Sequence, residues 1–278
     1  MKAPKRFSVT NGLLAVVTGA SSGIGEEFVR QLAARGYNLL LVARREDRLK
    51  ALAEEIAAAR RVAVEILPLD LVTDEGREIL AQRIRGAGNF GLLINNAGFG
   101  SVGWFHQASL DVQDQMHRLH VLTTVALSHA ALENLAARPD ADGRCGIINV
   151  SSVASFEQSP SNVSYCATKA WMTSFTNGLA IELAVQASPV KVQALCPGFT
   201  YSEFHDRIGM DRNPIPKQLW LHADFVVAES LKAFERGQII VVPGWRYKII
   251  VAFIRMMPGA LMRRISAELG RRFRKPRA

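Results

Sequence analysis

With 278 residues, of which 49% are hydrophobic and 21% charged, the chain can bury a large core, which excludes a disordered or fibrous polypeptide. The formal net charge of +9 is confined to one end of the chain, which argues against a nucleic-acid-binding body. Ten of the 34 Lys and Arg but only one of the 25 acids lie in residues 244–278, leaving 24 of each sign in residues 1–243. Cys145, Cys166 and Cys196 show no CxxC or Cys/His ligand spacing, so they read as reduced, buried thiols of a cytoplasmic protein, with no metal site. Met1 to Arg6 is basic, but Leu13 to Val17 is too short for a signal core. Ile249 to Ile254 is far too short to span a bilayer.

In chain order, Leu13-Leu-Ala-Val-Val-Thr18 predicts a buried strand that ends in a glycine turn, Gly19-Ala-Ser-Ser-Gly-Ile-Gly25. Phe28, Val29, Leu32 and Ala33 then recur at helical spacing. Strand, glycine turn and helix together suit a nucleotide pyrophosphate, because backbone N–H groups and a helix N-terminus converge on it. A second strand, Asn38 to Ala43, ends at Arg44 and Arg45. An acid here would bind a ribose 2′-hydroxyl, whereas a guanidinium suits a 2′-phosphate; a solvated basic helix start is the alternative. A third strand spans Val62 to Leu67, with Asp70 after it, placed to meet the adenine edge. Leu92 to Gly98 gives a fourth strand with a polar exit, and Asp111 to Ala137 a long amphipathic helix.

The strand Gly146-Ile-Ile-Asn-Val-Ser leads to Ser152. Tyr165 and Lys169, four apart, share one helix face, where a phenol, an ammonium and a hydroxyl can surround one small volume. Lysine beside the phenol is expected to lower its pKa toward a usable value; alone, this spacing also fits an ordinary amphipathic helix. Strands at Val190 to Cys196 and Gln238 to Val242 complete the pattern. Alternating strands and helices call for an α/β fold: one Rossmann-type, doubly wound parallel sheet of about seven strands with helices on both faces.

Together these residues resemble the short-chain dehydrogenase/reductase family over Leu13 to Val242. Thr18-Gly-Ala-Ser-Ser-Gly-Ile-Gly25 is similar to its TGxxxGxG turn and Asn95-Asn-Ala-Gly98 to its NNAG. Ser152 precedes Tyr165 by the family's thirteen-residue interval, and Pro197-Gly198 with Thr200 resembles its PG motif. The resemblance implies Ser152, Tyr165 and Lys169 as catalytic residues. It also implies NADP(H), rather than NAD(H), held by Gly19, Ser21, Ser22, Gly23, Ile24, Gly25, Arg44, Arg45, Asp70, Leu71, Asn96, Ala97, Gly98, Tyr165, Lys169, Pro197, Gly198 and Thr200. The implied activity is reversible reduction of a ketone to a secondary alcohol, with Tyr165 as general acid and base. A low-turnover NADP(H)-binding regulatory or scaffold protein is the alternative. In Leu119-His120-Val121, His120 stands where the family commonly has asparagine. It either holds a relay water or fills space.

The catalytic domain is expected to run over residues 1–243, with a substrate lid over about 199–222. Phe199, Tyr201, Phe204, Ile208, Met210 and Trp220 in the lid, with Phe99, Trp104 and Phe105, either pack on one another or admit an apolar carbonyl substrate. Arg207, Arg212 and Lys217 are balanced by Glu203, Asp206 and Asp211. The extension over residues 244–278 predicts one or two basic amphipathic helices broken at Pro258-Gly259. These either touch a membrane surface peripherally or cover the pocket or a partner subunit. A homo-oligomer without nucleic acid is expected.

Overall fold

Apolar runs of five or six residues need cover on both faces, and nearly every one in this chain is followed by an amphipathic helix. The computed structural model describes residues 12–138, 143–204 and 215–272. Its elements are β1 (Leu14–Thr18), α1 (Gly23–Ala34), β2 (Asn38–Ala43), α2 (Glu46–Ala59), β3 (Val64–Pro68), α3 (Asp74–Arg85), β4 (Phe90–Asn95), α4 (Leu110–His117), α5 (Thr123–Ala136), β5 (Gly146–Val150), α6 (Val163–Val185), β6 (Lys191–Leu195), α7 (Ala223–Glu235), β7 (Ile240–Val241), α8 (Trp245–Met256) and α9 (Gly259–Arg272). The seven strands form one sheet in the order β3-β2-β1-β4-β5-β6-β7, and every pairing is parallel.

Alternate residues of each strand enter opposite cores. Ala15 and Val17 of β1 and Leu39 and Leu41 of β2 pack with Phe28, Leu32 and Leu231 on one face. Val16 and Leu40 pack with Leu80, Ile84 and Leu127 on the other. This is the doubly wound arrangement expected. The strand order reverses between β1 and β4, so the C-terminal ends of these two strands open a crevice between them. The glycine turn leaves β1 there, and the Asn95-Asn96-Ala97-Gly98 segment leaves β4.

Several strand boundaries differ from the sequence expectation by one or two residues: β3 begins at Val64 rather than Val62, β4 begins at Phe90 rather than Leu92, β6 spans Lys191–Leu195 rather than Val190 to Cys196, and β7 begins at Ile240 rather than Gln238. The single long helix over Asp111 to Ala137 is two helices joined by a π-helical turn, Arg118–Leu122. One extra residue in the ladder rotates the faces of the flanking helices and turns His120 inward, where it has no exposed surface. The extension folds as two helices, and α8 stops before Pro258 because the residue preceding a proline is driven out of helical backbone: Met257 is extended. Among the described residues no helix is long and apolar enough to cross a membrane.

Candidate active site

Ser152 lies two residues past β5 and caps a short 3-10 turn, its Oγ accepting from the Ala154 N–H at 3.1 Å. An oxygen that accepts there still has its own proton to donate. Tyr165 and Lys169 stand one turn apart on α6. A polar ladder through the core fixes that helix against β5. The Asn95 amide donates to Asn149 Oδ1 at 2.8 Å, and the Asn149 amide donates to Thr176 Oγ1 at 2.9 Å. Ser151 donates to the carbonyl of Lys169 itself at 2.8 Å. These groups are buried, so releasing any of them would leave a partner unpaired in the core.

Lys169 is 5% exposed and its ammonium donates to the Val150 carbonyl at 2.8 Å. Burial pushes its pKa down to about 8. Tyr165 keeps part of its surface exposed, yet desolvation around the phenol pushes it up to about 12, against the pull of a hydrogen bond from Ser152. The expected lowering of Tyr165 by lysine is therefore reversed in this structure. The ammonium lies 5.9 Å from the ring centroid, and desolvation is the largest influence on the phenol.

His120 reaches the same volume from the π turn, its ring 6.0 Å from that of Tyr165. Nε2 accepts from the Phe99 N–H at 3.2 Å, which makes Nδ1 the protonated nitrogen, 2.9 Å from Thr168 Oγ1. Thr168 passes its own proton to the Tyr165 carbonyl at 3.0 Å. Both ring nitrogens are thus committed, leaving none to hold a relay water. Of the two readings open from sequence, the geometry matches a brace that fills space. Burial first, and the Lys169 charge second, hold the imidazole well below its ordinary pKa, so it stays neutral.

The glycine turn is positioned by polar contacts from β4. Thr18 Oγ1 accepts from the N–H groups of Asn96 and Ala97, and the Asn96 amide donates to the carbonyls of Thr18 and Gly19. Gly19 has φ +65°, and a Cβ on Gly25 would stand 2.3 Å from the Gly19 oxygen, so only glycine closes this turn. Ile24 packs partly buried beneath it. Gly23 abuts Ser202. Arg45 lies across the turn, donating to Ser21 Oγ at 3.0 Å, to the Ser21 carbonyl at 3.1 Å and to Ser22 Oγ at 3.0 Å. Arg44 is 66% exposed, 3.9 Å from Asp70. Asp70 accepts from the Val72 N–H, while Leu71 is a core residue whose carbonyl takes the Thr123 hydroxyl proton. Gly98 links this half of the site to the catalytic half: a Cβ there would come within 2.8 Å of His120 Nε2 and 3.7 Å of Lys169 Nζ. The close-approach glycines and guanidinium pair fit a dinucleotide.

The family model for short chain dehydrogenases matches residues 13–213. The chain belongs to that family. It is 35% identical over 187 residues to human dehydrogenase/reductase SDR family member 7, covering 66% of this chain and 53% of that protein. The chain thus spans about half the length of that relative. Among solved structures it is similar to a short-chain dehydrogenase from Sphingobium yanoikuyae in complex with NADPH, with 31% identity, TM-score 0.77, and 87% and 93% of the two chains covered. It is also similar to the bulky-bulky ketone specific alcohol dehydrogenase from Comamonas testosteroni, with 27% identity, TM-score 0.74 and 97% of each chain covered.

In this short-chain dehydrogenase the lid aromatics fall into two groups. Tyr201 stacks on Trp220 at 5.0 Å and Phe199 tilts against the same indole at 5.5 Å, which is packing. Phe204 instead faces Tyr165 at 5.7 Å and Phe99 faces His120 at 6.1 Å. Trp104 and Phe105 are half exposed. Arg207, Ile208, Met210, Arg212, Asp206 and Asp211 lie outside the described residues. The other PG-motif residues hold loops: the Pro197 carbonyl accepts from Val153 N–H, and Thr200 bonds the Gly198 carbonyl and pairs with Leu221.

Two functional contacts were not foreseen. Glu203 at the root of the lid bridges Arg45, at 2.9 Å, and Arg48. Tyr247 of α8, 4% exposed, presses its ring against Gly198, accepts from the Phe199 N–H at 2.9 Å and donates to the Leu219 carbonyl at 2.7 Å. It ties both ends of the lid together. Its inward place among outward apolar residues was the only sequence signal.

Two outcomes follow from these contacts. Below about pH 6.5 the unfolded chain protonates His120 and the folded chain does not, so stability falls on acidification by about 1.4 kcal/mol per pH unit until the depressed folded pKa is reached. Above that pH both states are neutral and the contribution vanishes. His120→Asn should flatten this acid slope in urea unfolding while retaining turnover; an unchanged slope would show that the imidazole titrates freely. Tyr247→Phe should cost about 1–3 kcal/mol of stability and raise KM for a carbonyl substrate more than it lowers kcat. Unaltered KM and stability would remove its role in holding the lid.

Proposed function

We propose that this short-chain dehydrogenase interconverts an apolar ketone and its secondary alcohol with NADP(H). The observation that carries this reading is the convergence of a protonated Tyr165 with the Ser152 hydroxyl that hydrogen-bonds it, with Phe204 against the phenol ring and Phe99 against His120. When bound, NADP(H) supplies or takes up the hydride. Ser152 and Tyr165 hold the carbonyl oxygen, and Tyr165 gives it a proton as charge develops there; in the reverse direction the phenolate takes the proton back. Lys169, fixed through Val150, places a donor beside the pair and would bond the nicotinamide ribose.

The glycine turn would cradle the pyrophosphate through its N–H groups. For the 2′-phosphate, support comes from Glu203: a carboxylate already sits between Arg45 and Arg48, so the place accepts an anion. A phosphate there would compete with Glu203 for Arg45. An apolar substrate is supported by the aromatic wall and by a neutral His120.

NADPH consumption over a panel of bulky aryl and alkyl ketones tests the reading. Wild type should turn over with NADPH preferred to NADH, and Arg45→Ala should narrow that preference about 10–100-fold. Tyr165→Phe should lower kcat by about 10²–10⁴-fold with NADPH affinity kept. Tight NADPH binding without turnover on any ketone would instead identify a binding protein.

A further inference from the structure

α8 has two apolar faces. Tyr247 and Val251 pack inward at 4% and 5% exposure. Trp245, Ile249, Phe253 and Met256, at i, i+4, i+8 and i+11, form the opposite stripe and are 62%, 60%, 65% and 84% exposed. A row of four large apolar side chains facing water is more than scattered surface hydrophobicity. Arg246, Lys248 and Arg255 flank the stripe, and Arg246 lies over the Trp245 ring, 4.7 Å from its centroid. The following helix adds Arg263, Arg264 and Arg271.

We infer that this extension docks the enzyme on an anionic lipid surface, with the α8 stripe entering the headgroup boundary and the flanking cations holding acidic headgroups. Charge decides between this occupant and a second copy of the chain. The body is formally neutral and the whole excess of +9 falls in residues 244–278, so pairing two such segments would set like charges against each other. An acidic bilayer supplies the opposite charge and an apolar layer behind it. The inner face of the same helix holds both ends of the lid through Tyr247, so the docked surface and the lid ties share one helix.

Co-sedimentation of the full chain with vesicles tests the inference. Phosphatidylcholine vesicles should not bind the protein. Vesicles containing phosphatidylglycerol should bind it at about 0.1 M salt and release it near 1 M, where the screening length shrinks from about 10 Å to about 3 Å. The doubly substituted Ile249→Asn, Phe253→Asn chain should bind at least about tenfold less, with an unchanged urea midpoint showing that the fold is intact. Sedimentation velocity without lipid supplies the competing outcome. Failure to bind acidic vesicles, binding that survives the double substitution, or a concentration-dependent dimer that the substitution dissolves would each overturn the proposal.

Discussion

The ammonium of Lys169 has almost no water around it, and much of the active site follows from that constraint. A buried charge survives only where its neighbours are fixed and its donors satisfied. Here the Val150 carbonyl accepts its proton, and Ser151 and Asn149 anchor α6 to the strand that carries this carbonyl. The same dryness moves three titratable groups toward their neutral forms: phenol up, lysine down, imidazole down. Tyr165 therefore arrives at catalysis carrying its proton, which suits reduction of a carbonyl.

Around this fixed pair the remaining parts are tied by polar contacts that cross between elements. Thr18 and Asn96 lock the glycine turn to the end of β4, so the cofactor and catalytic halves of the crevice share one rigid frame. The lid is held at two places of different character. Tyr247 clamps its ends through neutral hydrogen bonds, while Glu203 joins its root to Arg45 and Arg48 through charge. A ligand anion that takes Arg45 would loosen the second tie and leave the first. A cofactor phosphate bound there would meet the lid through the Arg45 guanidinium.

Much of this was legible in the sequence where the physics is local. The strands follow from short continuous apolar runs and the helices from period-3.6 patterns, and the parallel sheet from their alternation. The glycine turn is legible because backbone approach demands glycine at fixed offsets, and the Ser152, Tyr165 and Lys169 set because helix geometry places residues four apart on one face. What escaped depends on tertiary contact. A π turn is a register change that leaves no compositional mark, so neither the break in the long helix nor the inward turn of His120 could be read. The pKa of Tyr165 depends on burial around the phenol, which a YxxxK spacing does not encode. Tyr247 and Glu203 act on partners 48 and 158 residues away respectively. Residue types alone could not pair them.

The central claim is that desolvation raises the Tyr165 phenol above its ordinary pKa before cofactor and substrate arrive. Ultraviolet difference titration of the cofactor-free protein, wild type against Tyr165→Phe, measures that ionisation directly. The structure predicts that the phenolate signal assigned to Tyr165 is absent through neutrality and emerges only as the pH approaches about 12. A phenolate that forms near neutral pH would contradict it, and would return to Lys169 the lowering role that its spacing from Tyr165 implies.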